Sequence, residues 1–178
     1  MNPDDYVNNR LDSLSKFYEN KYNTHEFNVS LRTIREKYQY NIGFSVQPQQ
    51  STTSYEQGTI KVDTTRNVVN FSPTFDYRYR FNKQSMLRIN YRGRTSQPSM
   101  TDLLPITDTS DPLNISKGNP SLKPSYTNSF MLFYNTFLPE KQQSMMARLT
   151  FSNTINSVSN TVTYDEETGA RITQPKNI

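Results

Sequence analysis

The 178-residue chain is long enough for one domain, yet only 33% of it is hydrophobic while 12% is aromatic, from 12 Tyr and 10 Phe. Its formal charge of +4 is scattered over 20 basic and 16 acidic residues with no basic run, which argues against nucleic acid as a partner. With no cysteine there is no disulfide framework, no zinc cluster of thiolates and no cysteine nucleophile.

A mean hydropathy of -0.84 is low for a soluble core. Disordered chains, however, are poor in aromatic and β-branched residues, and this one is not. Strands with one apolar and one polar face reconcile the two facts. The start, Met1-Asn2-Pro3-Asp4-Asp5, has no signal-peptide pattern. There is also no run of about 18 apolar residues to cross a bilayer as a helix.

In chain order, Leu11, Leu14, Phe17 and Tyr18 have helical spacing, which predicts a short surface helix or an ordered external loop over residues 1–23. Residues 24–178 read as strands. Phe27, Val29 and Leu31 face away from Asn28, Ser30 and Arg32, and after a tight turn at Arg35-Glu36-Lys37 the alternation resumes with Tyr38, Tyr40, Ile42, Phe44 and Val46. A long polar stretch from Pro48 to Asn67 reads as a loop.

From Val69 to Phe81 the odd positions are Val69, Phe71, Pro73, Phe75, Tyr77, Tyr79 and Phe81, and the even ones are all polar. A helix would scatter that period of two around its circumference. Pro73 removes a ladder donor and predicts an edge or bulge. A tight turn at Asn82-Lys83-Gln84 precedes Leu87, Ile89 and Tyr91, which alternate with Arg88, Asn90 and Arg92.

The stretch from Ser96 to Ser125 reads as a second long loop. Tyr126 to Phe137 is strand-like but apolar on both sides, since Met131 and Phe133 oppose Phe130, Leu132 and Tyr134. That predicts burial on both faces, or a plug-like element against the inner side. After a short connection from Leu138 to Gln143, Met145, Ala147, Leu149, Phe151 and Ile155 share one face. Finally, Thr161–Tyr164 and Ala170–Thr173 flank Asp165-Glu166-Glu167-Thr168-Gly169, which reads as a hairpin with a glycine-bearing turn.

The reading is therefore all-β: an antiparallel meander of about six transmembrane-type strands, with connections that alternate short and long as outer-membrane barrels do. Periodicity alone leaves a soluble sandwich or small barrel open, with the apolar face inward. Three features favour the membrane. Aromatics gather near strand ends, as interfacial girdles require. The long loops lie on one side only. The polar face carries Asp76, Arg78, Arg80, Arg88 and Arg92, natural lining for a wet lumen. Those arginines either attract anionic groups or pair with Asp76 or a plug.

The segment Thr95-Ser96-Gln97-Pro98-Ser99, followed by Leu103-Leu104-Pro105, Asp111-Pro112-Leu113-Asn114 and Gly118-Asn119-Pro120-Ser121-Leu122-Lys123-Pro124-Ser125, resembles the Bacteroidetes outer-membrane β-barrel family related to TonB-dependent receptors. Ser121 and Ser125 stand where that family usually has Asp and Glu. The hairpin Thr163-Tyr164-Asp165 to Thr168-Gly169 extends the likeness.

The motif residues Gly118, Asn119, Pro120, Leu122, Lys123 and Pro124 read as a rigid re-entry from loop to strand. Each proline holds its predecessor extended, and the glycine permits the turn. The resemblance implies a large parent barrel with a plug, of which this chain supplies about six strands. Bacterial barrels start at about eight strands, and Pro175-Lys176-Asn177-Ile178 lacks the terminal aromatic strand of such barrels, so the chain is expected to be a fragment.

No chemistry-bearing constellation emerges. His25 is the one histidine and nothing marks a nucleophile near it. Asp165, Glu166 and Glu167 lack the spacing of a calcium loop. Asp108 and Asp111 read as solvated acids, and five glycines form no phosphate cradle. The expectation is no enzyme, no metal and no cofactor.

The expected partners are outer-membrane lipid, the remainder of the barrel and its plug, and through the resemblance the TonB system and a surface lipoprotein. The implied function is that of an outer-membrane receptor-like barrel whose parent takes up a nutrient. The alternative is a surface β-protein with a structural or adhesive role and no transport.

Overall fold

A computed structural model of the chain describes residues 16–57 and 60–178. Strands β1 (Lys16–Thr24), β2 (Phe27–Ile34), β3 (Tyr38–Gln57), β4 (Ile60–Arg80) and β5 (Ser85–Ser96) come first. A one-turn helix α1 (Met100–Leu103), short strands β6 (Thr107–Asp108) and β7 (Asn114–Lys117), and then β8 (Ser125–Leu138) and β9 (Gln143–Ile155) follow. A hairpin of β10 (Val158–Tyr164) and β11 (Arg171–Asn177) ends the chain.

The main sheet is antiparallel, in the order β1/β2-β3-β4-β5-β8-β9. Its seven strands fill six positions, because β1 and β2 both lie along β3. Thr24 faces Gln49 and Phe27 faces Val46, so one register runs through both strands. The gap falls at His25, whose N–H reaches the Pro48 carbonyl at 3.0 Å. Pro48 has no N–H to return, and the ladder lapses there. Phe17 and Tyr18 therefore lie in a strand, not in the expected helix or loop; Leu11 and Leu14 fall outside the described residues.

The register confirms the alternation. Across the sheet, Leu31, Ile42, Phe75, Tyr91, Phe130 and Phe151 form one row, and Thr33, Tyr40, Tyr77, Ile89, Leu132 and Leu149 form the next on the same face. Rings touch along it: Tyr91 and Phe130 at 4.7 Å between centroids, Tyr79 and Phe81 at 4.9 Å. None of these side chains is buried and half of them are exposed, Leu149 at 68% and Phe151 at 57%. The whole chain exposes 13454 Å², against roughly 9,000 Å² expected of a compact soluble monomer of this mass. An entire apolar sheet face is bare.

The stretch from Pro48 to Asn67 is not a loop. It continues β3 and β4 as a paired ladder out to Gln57 and Ile60. Its aromatic face ends abruptly, however. Past Val46 and Val69 the same side reads Pro48, Gln50, Thr52, Ser54 and Glu56 on β3, and Asn67, Thr65, Asp63 and Lys61 on β4. From Phe71 to Phe81 the apolar run covers about 34 Å of strand at about 3.4 Å per residue. Tilted by about 40°, that is about 26 Å in height, close to the apolar band of an outer-membrane barrel.

The connection between β5 and β8 is folded. With the final hairpin it builds a second sheet in the order β10-β11-β7-β6, in which β11 and β7 run parallel. The expected hairpin is present, with Tyr164 opposite Arg171 and a positive φ of 69° at Gly169. The buried cluster Met100, Leu103 and Leu122 lies in this cap, with Val158 packed against it.

Candidate functional site

Two places carry the sequence-derived candidates. The first is the polar face of the main sheet. Arg78 stands opposite Arg88, Asp76 opposite Asn90, Arg92 opposite Thr74, and Arg80 opposite Met86. All five predicted residues therefore share one face.

Three further arginines join them by register and strand parity: Arg32 opposite Asn41, Arg94 opposite Thr127, and Arg148 opposite Phe133. The alternation in the sequence already puts Arg32 and Arg148 on polar strand faces without marking them as lining, and Arg94 follows by the same parity. Asp76 accepts a hydrogen bond from Asn90 Nδ2. Among the described residues, none of Arg78, Arg80, Arg88 and Arg92 forms an ion pair, so the expected alternative of pairing with Asp76 is not realised here. Arg78 sits in the repulsive field of Arg88, Arg80 and Arg32, and its Nε is buried without a partner. Like charges directly opposite on a sheet destabilise it unless an anion intervenes.

Interleaved with these arginines are Ile34, Met86, Met131, Phe133 and Met146. The two-faced apolar character of β8 is thus real. Phe130, Leu132 and Tyr134 belong to the aromatic face, and Met131 and Phe133 to the arginine face.

The second place is the loop motif. The Gly118 N–H donates to the Ile106 carbonyl at 3.0 Å, and a Cβ at Gly118 would overlap the Leu104 carbonyl oxygen. Only glycine fits so close a backbone approach. The Asn119 N–H donates to the Asp102 carbonyl at 2.6 Å. Its Nδ2 reaches the Pro175 carbonyl at 2.9 Å, and its Oδ1 accepts from Ser121 N–H at 3.1 Å and Ser121 Oγ at 2.5 Å.

Ser121, the departure from the family pattern, thus still supplies a local hydroxyl donor. Leu122 is buried, and its carbonyl accepts from Arg66 at 3.0 Å. Lys123 is bonded through its backbone to Asn177. Pro120 and Pro124 bracket this run without N–H groups to satisfy.

These contacts orient the cap. Arg66 lies on the same face of β4 as Arg78, by alternation. The cap therefore packs on the arginine-bearing side of the β3–β4 extension, over Ser51, Thr53 and Tyr55, all nearly or fully buried. Asn160, Thr173 and Pro175 of the small sheet line a depression together with Tyr18 and Tyr55 of the wall.

The acids considered in the sequence are turn acceptors. Asp111 binds Asn114 Nδ2 at 2.8 Å and Leu113 N–H at 3.0 Å, which hold its carboxyl below the usual range. Asp165 accepts from the Thr168 N–H and hydroxyl, each at 2.8 Å, with the same effect. Among the described residues no group of three or more His, Cys, Asp or Glu side chains is placed to hold a metal.

An open antiparallel wall with one bare aromatic face of bilayer height, one charged face and polar extensions beyond it defines the class: a membrane-spanning β-barrel wall. The chain matches the model of the outer membrane protein beta-barrel family over residues 2–178. It belongs to that family, and its place is the outer membrane. No curated protein and no solved structure matches it.

Proposed function

We propose that this chain is a wall sector of an outer-membrane receptor-like barrel whose parent takes part in TonB-dependent nutrient uptake, without catalysis of its own. In this reading the aromatic face meets lipid, and Asp76, Arg78, Arg80, Arg88 and Arg92 line the interior. The tight turns at Arg35–Lys37 and Asn82–Gln84 lie at the periplasmic end.

The observation that carries the reading is the arginine face. It combines unpaired guanidinium groups, a buried orphan donor on Arg78, and exposed Met146 and Ile34. Arg, Met and aromatic side chains are the composition of a protein interface, not of a plain water-filled pore. Such a surface suits an acidic, partly apolar plug and an anionic cargo moving past it. Both edges of the sheet, β1/β2 and β9, lack a further strand among the described residues. About eight strands are the minimum for closure, so other strands complete the wall. A surface lipoprotein and the TonB system are the partners this reading implies.

Sequencing the DNA on both sides of the reading frame tests it. In-frame segments encoding a plug, a TonB-contacting segment and further alternating strands are expected. A gene with the strands but neither plug nor TonB-contacting segment would favour a structural or adhesive surface barrel instead.

A further inference from the structure

The small sheet of the cap has two unlike faces. One turns Asn160, Thr173 and Pro175 toward the wall. The other, carrying Thr161, Thr163, Ile172, Gln174 and Lys176, borders a separate groove of about 640 Å³. The motif residues Asn119, Ser121 and Lys123 line it as well, together with Lys117. We infer that this groove is a binding site for a soluble, hydrophilic oligoanion, with phosphate or carboxylate groups held by Lys117, Lys123 and Lys176.

Five observations support the assignment. Three lysines border one groove and no carboxylate does. Among the described residues none of the three forms an ion pair; Lys117 acts on Asp165 of the hairpin turn only through its field. The remaining lining is hydroxyl and amide, with Ile172 the one large apolar side chain, so a greasy ligand finds little to cover there.

The frame is also held in place before any ligand arrives. Asn177 fixes the Lys123 backbone, Asn119 fixes Pro175, and Gln174 Nε2 donates to the Gly118 carbonyl at 3.3 Å. A fixed frame reduces the ordering cost of binding. The volume lies within the range of small-ligand sites.

A soluble ligand fits better than a lipid headgroup. The cap packs on the arginine-bearing side of the wall, away from the bare aromatic face. The groove thus names a cargo class for the uptake reading. It rests on that reading for its meaning, while its binding is measured separately.

The test is calorimetric titration of inorganic tripolyphosphate into the full-length protein that contains this chain, purified in detergent. Saturable binding that weakens with rising salt is expected. Loss of three charge-assisted contacts in the triple variant Lys117→Gln, Lys123→Gln, Lys176→Gln should weaken it by about thirtyfold or more. Lys141→Gln, outside the groove, should leave affinity within about twofold.

Absence of binding, or equal binding by the triple variant with its heat-modifiable gel mobility intact, overturns the inference. Competition by anionic lipid vesicles that removes the bound tripolyphosphate would overturn the soluble source. Binding in a protein whose gene lacks a plug leaves the groove standing and removes the uptake reading. No binding in a protein whose gene encodes one does the reverse.

Discussion

Lys123 and Asn177, 54 residues apart, are joined like two paired strands although one partner is a side chain: the Lys123 N–H donates to Asn177 Oδ1 at 2.8 Å, and Asn177 Nδ2 donates back to the Lys123 carbonyl at 3.0 Å. The same Nδ2 also reaches the Asn156 carbonyl at 2.9 Å. One amide thus ties the end of the final hairpin to the loop motif and to the exit from β9. Asn177→Ala should loosen the cap by about 1–3 kcal/mol, since it leaves backbone groups without partners. Faster hydrogen exchange and proteolysis over residues 97–124, with the wall strands unchanged, is the expected result. Asn177→Asp, which keeps the acceptor but sets a carboxylate oxygen against the Lys123 and Asn156 carbonyls, should cost at least as much as alanine.

Gly118→Ala should act on the same unit by a different route. The added methyl meets the Leu104 carbonyl oxygen, which is held in turn by the Ile106 N–H at 2.8 Å. Overpacking against backbone typically costs about 1–3 kcal/mol. Leu122→Ala, which empties the Met100–Leu103 cluster, should cost about 2–5 kcal/mol. Both variants should release the cap to protease while the barrel keeps its heat-modifiable gel mobility.

The wall strands were readable because each carries its own period. Val69 to Phe81 needs no knowledge of its neighbours to be seen as one-faced. Pro48 to Asn67 was opaque for the opposite reason. Beyond the bilayer the formerly aromatic face of β3 and β4 turns polar and the apolar Tyr55 and Val62 fall on the other face, so the alternation changes sides although the backbone ladder continues, with side chains such as Thr52 and Thr65 meeting at 3.3 Å across it.

Phe17 and Tyr18 also misled, because two adjacent aromatics fit a helix face as well as a strand. Their strand state comes from pairing with Glu56 and Tyr55, roughly 40 residues away. Strands β6 and β7 are two and four residues long, too short to show a period. The motif's rigid turn followed from Gly118, Pro120 and Pro124. Its attachment to Asn177 had no local signal at all.

Charge placement separates the two sheet faces. Leu149→Arg puts a guanidinium on the bare aromatic face and should cost about 2–4 kcal/mol of membrane stability near mid-bilayer. Thr150→Arg, one residue on and on the opposite face, should cost far less. Urea unfolding of the protein in lipid vesicles measures both.

The hairpin turn at Asp165 gives a pH dependence. Hydrogen bonds from the Thr168 N–H and hydroxyl hold its folded pKa below the usual carboxylate range. A depressed carboxylate contributes stability above its unfolded value and loses it as the pH falls through the folded one. Protection of the Thr168 amide should therefore persist from neutral pH through the ordinary carboxylate range and fade only in stronger acid. Asp165→Ala should abolish that protection at every pH.

The most direct test of the account is a cysteine scan along β4, for which the chain supplies a clean background because it has no cysteine. Single cysteines at Phe71, Ser72, Thr74, Phe75, Asp76 and Tyr77, each spin-labelled in the full-length protein in lipid, report contact with oxygen dissolved in the bilayer or with a water-soluble relaxant. Labels at Phe71, Phe75 and Tyr77 should respond to oxygen, and those at Ser72, Thr74 and Asp76 to the aqueous reagent. An inverted pattern, or one with no period of two, would contradict a wall that turns its aromatic face to lipid and its arginines inward.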